Sequence, residues 1–215
     1  MNEKIIETQY DVTKKSKLRI FYDSYKVLIY SIISALLILY ASINFYLYKQ
    51  EKKVILNSEK YVEAKVNLSN KEKDKALIKL KEIIYSNDQT YSPLSLFLIL
   101  NQNLIEDKKE LSGFFDYLLS NIKLDEEIKN LLIYKRALFN ENLLNESEVL
   151  ESVQPLLNSN SLWNAHALLF LGDYFSSKGE YLKAKEFYTK VFSLENLHNV
   201  LYEQARSQLA LISNE

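Results

Sequence analysis

The longest hydrophobic run in the chain extends from Val27 to Tyr48 and contains no charged residue. As an α-helix this run is about 33 Å long, and the hydrocarbon core of a bilayer is about 30 Å thick. Lys26 and Lys49 bracket the run, and aromatic side chains, which favour the headgroup region, collect at both ends. These aromatic residues are Phe21, Tyr22, Tyr25, Phe45, Tyr46 and Tyr48. We therefore predict that residues 27–48 form a single transmembrane helix.

Two other structures share this hydropathy pattern. A buried core helix of a soluble protein can be equally apolar, but flanking lysines and aromatic residues at both ends are not typical of one. A cleaved signal peptide normally has a shorter apolar region, followed by an A-x-A-like site. The only small pair near the end of the run, Ala41-Ser42, lies inside it. We favour an uncleaved signal-anchor.

The charges on either side of the run predict its orientation, because cytoplasmic flanks carry an excess of Lys and Arg. The cations before it are Lys14, Lys15, Lys17, Arg19 and Lys26. Those that follow it are partly offset by Glu51 and Glu59. We expect residues 1–26 to be a cytoplasmic basic leader and residues 49–215 to lie on the outer side of the membrane. In a Gram-negative bacterium this is a single-pass inner-membrane protein with a periplasmic domain.

Three small residues of the predicted membrane helix, Ser31, Ala35 and Ser42, share one helical face. Small residues let two helices approach closely in lipid, so this face is a candidate contact surface for a partner helix. The ordinary composition of a membrane span explains the same pattern. Both interpretations stay open.

After the run, the chain consists of segments of about 12 to 18 residues in which apolar side chains recur every third or fourth position. One such series contains Ile128, Leu131, Leu132, Leu138 and Phe139. Short turns rich in Ser, Asn and Asp separate the segments. Ser92-Pro93 and Asp125 are suitable helix starts, because serine and aspartate cap helices and proline tolerates the first turn. This pattern predicts a succession of α-helices.

The composition favours the same all-α class. The chain has 215 residues, of which only 3 are glycine and 2 are proline, and sheet folds with tight turns need more glycine than this. It has no cysteine, which excludes disulfides, thiolate catalysis and cysteine-ligated zinc. Its formal charge of −1 gives no general attraction to nucleic acid.

The clearest repeat unit runs from Ala165 to Asn196 and resembles the tetratricopeptide repeat, a helical pair of about 34 residues. The matching positions are Leu168, Leu171, Gly172, Phe175, Gly179, Tyr181, Ala184, Tyr188 and Val191. In such a pair, Gly172 and Ala184 stand where the two helices cross closely, and Asn196 replaces the usual terminal proline. Other units are degenerate. The resemblance implies a tetratricopeptide-like α-solenoid of about five helical pairs over residues 49–215, ended by a capping helix.

Solenoids of helical pairs present a concave groove lined by the first helix of each pair. In the clearest unit we expect His166, Leu169, Asp173 and Ser176 to line this groove. Some repeat proteins of this type bind a terminal carboxylate through lysine and asparagine, and the leucine and aspartate at these positions argue against that mode. A mixed apolar groove suits extended polypeptide or the helix of a partner protein.

No catalytic or metal-binding pattern accompanies these helices. His166 and His198 are the only histidines, and neither has ligand or acid–base partners at short helical spacing. Trp163, at the start of the clearest unit, is expected to pack between neighbouring repeats. We therefore predict a protein that is not an enzyme and needs no cofactor, metal or small-molecule substrate.

The whole layout is similar to the YfgM-type ancillary subunits of the Sec translocon, whose domain also occurs in a cell-division coordinator of the Tol-Pal system. The resemblance is carried by the KLRIFYDSYK lead-in to the membrane run and by residues 163–192. It implies an inner-membrane protein that associates with translocon components, periplasmic chaperones or exported polypeptides. The expected function is thus that of a membrane-anchored chaperone or adaptor at the secretion channel. A structural scaffold of an envelope or cell-division complex is the alternative.

Overall fold

The computed structural model describes residues 17–195 and 197–213. Within these residues the chain forms nine α-helices and no strand, so the predicted all-α class is confirmed. The helices are α1 (Lys17–Ser69), α2 (Lys73–Ile84), α3 (Tyr91–Asn101), α4 (Lys108–Asn121), α5 (Glu126–Asn140), α6 (Glu146–Leu157), α7 (Trp163–Ser177), α8 (Tyr181–Val191) and α9 (Asn199–Ile212). Residues 1–16 of the predicted leader, and Asn196 at the end of the repeat unit, lie outside the described residues.

Helix α1 carries the predicted membrane run. Of the helices in the described ranges, it is the one long and apolar enough to cross a bilayer, and its most apolar window has a mean hydropathy of 2.1. None of that window is buried, and side chains such as Leu36, Leu37 and Leu39 are more than half exposed. The prediction of one long apolar helix near the amino terminus is confirmed.

The two serines of the predicted contact face of α1 form hydrogen bonds within their own helix. The hydroxyl groups of Ser31 and Ser42 each donate a hydrogen bond of 2.8 Å to a carbonyl one turn earlier, those of Val27 and Ile38. Ser31, Ala35 and Ser42 are all exposed. The face predicted to contact a partner helix is therefore uncovered within the described chain.

The chain divides into two compact units, Met1–Lys53 and Val54–Glu215, and the division falls inside α1. In the second unit, each helix from α2 to α9 packs on the next one along the chain. In addition, α5 packs on α7, and α7 packs on α9. These three alternate helices thus form a row.

The core of the second unit consists of two hydrophobic clusters. The first joins the end of α1 to α2, α3 and α4, and includes Ala64, Leu80 and Phe115. The second is built by α5 to α9. Helix α5 contributes to both, with Leu132 in the first cluster and Ala137 in the second.

Helix starts follow local capping rules. Asp125 accepts a hydrogen bond of 3.0 Å from the Glu127 amide and begins α5, as predicted. The start of α3 differs from the prediction, because Ser92 lies inside the helix. Its hydroxyl donates to the Ile83 carbonyl at 2.7 Å, while Asp88 accepts from the Tyr91 amide at 2.8 Å. A buried carboxylate therefore takes the role expected of the serine.

Helices α7 and α8 pack so closely that a glycine is required at one position of α7. The Tyr188 ring of α8, which is fully buried, lies directly against the backbone of Gly172, where any Cβ atom would overlap it. Ala184 is also fully buried. The larger signature residues around them, Leu171 and Val191 among them, belong to the same cluster.

The turn between these helices closes α7 with a Schellman motif. Gly179 has a φ of 75°, in the left-handed region that favours glycine. Its amide donates to the Ser176 carbonyl at 3.0 Å, and the Glu180 amide donates to the Phe175 carbonyl at 2.9 Å. Tyr181 then begins α8 with its side chain exposed. Gly179 is therefore favoured at this turn because its backbone conformation is one that other residues rarely adopt.

Replacing Gly172 with alanine is expected to destabilise the protein by about 1–3 kcal/mol, because the added methyl group must displace the buried Tyr188 ring. The matched control is Gly113→Ala in α4, where an added Cβ meets no atom within 4 Å. Removing a helical glycine there should stabilise by about 0.5–1 kcal/mol. Thermal unfolding of the full chain in detergent, followed by circular dichroism, measures both. Equal effects of the two changes would contradict the close packing.

Candidate binding groove on helices α5, α7 and α9

One pocket of about 330 Å³ lies on the row of helices α5, α7 and α9. Its lining residues are Tyr134, Leu138, Glu141, His166, Leu169, Phe170, Asp173, Ser177 and Gln204. Tyr134 and Leu138 come from α5, the residues from His166 to Ser177 come from α7, and Gln204 comes from α9. The packing of alternate helices thus assembles the pocket from three separate segments. We call it the α5–α7–α9 pocket.

Three of the four predicted groove residues, His166, Leu169 and Asp173, line this pocket. Ser176 is not among its lining residues, and the next residue, Ser177, is. Positions four apart nearly align on a helix, so Ser177 continues the face that carries Asp173. The partly buried Ser176 instead offers its carbonyl to the turn glycine, Gly179.

Aromatic rings form one wall of the pocket. The Tyr134 and Trp163 rings stack, with centroids 5.6 Å apart and an interplanar angle of 29°. The His166 ring lies 5.6 Å from that of Tyr134 and 5.1 Å from that of Trp163. Trp163 therefore packs α7 against α5, which is the contact expected of it between neighbouring helical units, and it supports two rings that line the pocket.

Asp173 is held by the same tyrosine that packs on Gly172. The Tyr188 hydroxyl donates a hydrogen bond of 2.7 Å to Asp173 Oδ1. Partial desolvation raises the pKa of the Asp173 carboxyl, and this hydrogen bond opposes the rise. Burial also raises the pKa of Tyr188, with a further contribution from its bond to Asp173, so its hydroxyl stays protonated and acts as a donor. The core of the α7–α8 pair thus orients a carboxylate of the pocket.

Two more pocket residues have shifted proton affinities. Partial burial lowers the pKa of His166, and the nearby charge of Lys135 lowers it further. Burial raises the pKa of the Tyr134 hydroxyl, and the charge of Asp173 adds to this rise. The imidazole is therefore favoured in its neutral form, and Asp173 lies close enough to Tyr134 for their electrostatic interaction to matter.

The sequence pattern predicts three lining residues of the pocket, all on α7. It does not single out the others, which are Tyr134, Leu138, Glu141, Phe170, Ser177 and Gln204. Tyr134 and Leu138 are four residues apart on one face of α5, which is the spacing shared by Leu169 and Asp173 on α7. That spacing was the available signal, but α5 lacks the repeat signature that would have aligned it with α7.

The remaining sequence candidates have structural surroundings. His198 caps α9, with Nδ1 accepting a hydrogen bond of 3.3 Å from the Val200 amide. Across residues 17–195 and 197–213, no group of three or more histidine, aspartate or glutamate side chains is placed to hold a metal ion. The lining of the pocket combines apolar, aromatic and anionic side chains.

Comparisons of this chain with known proteins identify no related protein. No protein family, no curated protein and no solved structure matches this chain. The resemblance to YfgM-type subunits therefore stays a prediction from the sequence.

In the folded protein, the His166 imidazole should titrate below its ordinary pKa of 6.5, because burial and Lys135 both disfavour its charged form. The unfolded chain binds this proton more readily than the folded protein does. The contribution of His166 to the free energy of unfolding is therefore fully present above pH 6.5, and it is lost as the pH falls through the lower pKa of the folded state. Removing the charge with Lys135→Met should raise the His166 pKa.

NMR titration of the full chain in detergent measures this pKa directly, since there are only two imidazole signals. His198→Asn assigns them and keeps a capping oxygen at α9. A His166 midpoint above 6.5, or one that does not respond to Lys135→Met, would count against the described surroundings.

Proposed function

We propose that this protein is a membrane-anchored interaction module, without catalytic activity, whose α5–α7–α9 pocket binds polypeptide. The observation that carries the proposal is that the lining residues of the pocket come from three helices, α5, α7 and α9, which pack side by side. Contacts spread over three helices suit an extended segment better than a compact substrate. The mixture of aromatic, aliphatic and carboxylate side chains suits the side chains of such a segment.

The proposal includes a tetratricopeptide-like arrangement of helical pairs. It is supported by the row of α5, α7 and α9, by the Gly172–Tyr188 contact and by the glycine turn between α7 and α8. In this view the end of α1 pairs with α2, and α3 pairs with α4. Two further pairs follow, α5 with α6 and α7 with α8. Helix α9, in which only Ala205 is buried, then acts as a terminal capping helix in place of a complete fifth pair.

The proposed membrane arrangement has residues 27–48 across the inner membrane, the basic leader in the cytoplasm and the helical domain in the periplasm. The exposed apolar surface of α1 and the cations before it support this arrangement. From the sequence resemblance, the proposed partners are translocon components, periplasmic chaperones or exported polypeptides. The protein would assist chains as they emerge from the membrane.

The arrangement predicts opposite accessibility of the two ends of the chain. Because the chain has no cysteine, Asn160→Cys and Thr13→Cys each introduce a single reactive site. In spheroplasts of a Gram-negative host, a membrane-impermeant maleimide should label the variant at position 160 and should label the one at position 13 only after detergent is added. The reverse pattern would overturn the orientation, and immediate labelling of both would overturn the membrane span.

The polypeptide-binding role predicts site-specific capture in cells. A photo-activatable amino acid at Gln204, on the α9 side of the pocket, should crosslink to exported polypeptides or translocon components. The same amino acid at Lys185, exposed on α8 and outside the pocket lining, is the matched control and should capture few of them. Equal capture at both positions would contradict the pocket as the binding site. Capture restricted to division proteins, together with septal localisation, would favour the scaffold alternative.

A further inference from the structure

The α5–α7–α9 pocket carries negative charge that the described residues do not neutralise. Asp173 and Glu141 both line it, and neither forms an ion pair within the described ranges. Other carboxylates between neighbouring elements are paired, for example Glu146 with Lys183 at 2.6 Å. Partial burial and the Tyr188 hydroxyl account for the pKa shift of Asp173, and the charge of Lys135 acts instead on His166, another lining residue. The pocket is therefore complementary to a positive charge.

The position of Asp173 leaves it available to a ligand. Tyr188 occupies Oδ1 from the side of the core, and the side chain keeps an exposed part at the pocket. A carboxylate has two oxygens and about four acceptor positions, so the hydrogen bond from Tyr188 does not saturate it. A partly desolvated carboxylate gains more from a bound cation than one in open water does.

The rest of the lining matches the stem of a long basic side chain. Leu138, Leu169 and Phe170 offer apolar surface, and Tyr134 adds an aromatic ring close to the Asp173 charge. Lysine and arginine bury their methylene groups on such a surface while the cationic head binds carboxylates and aromatic faces. A volume of about 330 Å³ lies at the low end for ligand sites, which suits a single side chain of a longer segment.

We propose that the α5–α7–α9 pocket binds a lysine or arginine side chain of an extended polypeptide, with its cationic head at Asp173 and Glu141 and its stem on Leu138, Leu169 and Phe170. This assignment rests on the proposed polypeptide-binding function and specifies its ligand. It makes the protein selective for basic segments, the opposite of a groove that grips a carboxylate.

The experiment compares two peptides that differ only in charge. One is a tryptophan-free peptide of Ser, Ala and Leu with two lysines, and in the other norleucine replaces both lysines. The full chain is kept in non-ionic maltoside micelles, and binding is followed through Trp163, the only tryptophan, whose ring stacks on Tyr134 of the pocket. The lysine peptide should bind about tenfold more tightly, and added salt should reduce that preference.

Asp173→Asn removes the charge but keeps an oxygen that can accept from Tyr188, and it should abolish most of the preference for lysine. Asp74→Asn, an exposed carboxylate on α2, removes the same charge away from the pocket and should leave the preference intact. Equal binding of both peptides would overturn the cation assignment while leaving a polypeptide-binding groove in place. Failure of both peptides to bind overturns it too, and crosslinking at Gln204 then decides separately whether the groove binds any polypeptide.

Discussion

The contact between Tyr188 and Gly172 is the constraint on which the α5–α7–α9 pocket depends. The absence of a side chain at Gly172 lets α8 bring a fully buried tyrosine ring against the backbone of α7. The hydroxyl of that ring then reaches Asp173, one residue further along α7, and holds its carboxylate at 2.7 Å. This single contact in the core of the helical pair therefore determines how closely α7 and α8 approach, and it also orients the Asp173 carboxylate of the pocket.

The chemistry of the pocket arises from its combination of partial burial and unbalanced charge. Burial favours the neutral forms of His166, Tyr134 and Asp173, and it strengthens electrostatic interactions between groups that stay charged. The aromatic stack of Trp163 on Tyr134 joins α7 to α5, and both rings pack against the hydrophobic cluster of α5 to α9. A surface of this kind suits the proposed binding role, in which shape and charge would select the ligand.

Much of the fold could be predicted because it follows from local patterns. The apolar run of α1, the three-to-four spacing of the later helices and the cap at Asp125 are all properties of neighbouring residues. Predictions that needed distant residues were less accurate. The serine expected to begin α3 lies inside that helix. The first amide of α3 instead donates to the carboxylate of Asp88, which also accepts a hydrogen bond from Asn57 on α1. The α7 side of the pocket was predicted from one repeat unit, whereas its α5 and α9 sides were not.

The sequence by itself determined the all-α class, the single long apolar helix and the α7–α8 pair, since each depends on composition or on residues a few turns apart. Only the tertiary structure decided that α5, α7 and α9 form a row and that Tyr134, Asp173 and Gln204 border one pocket. The physical reason is that helical periodicity specifies which face of a helix is apolar but not which distant helix covers it. Outside the α7–α8 pair the repeat signature is degenerate, so the alignment of distant helices follows from side-chain packing in the core.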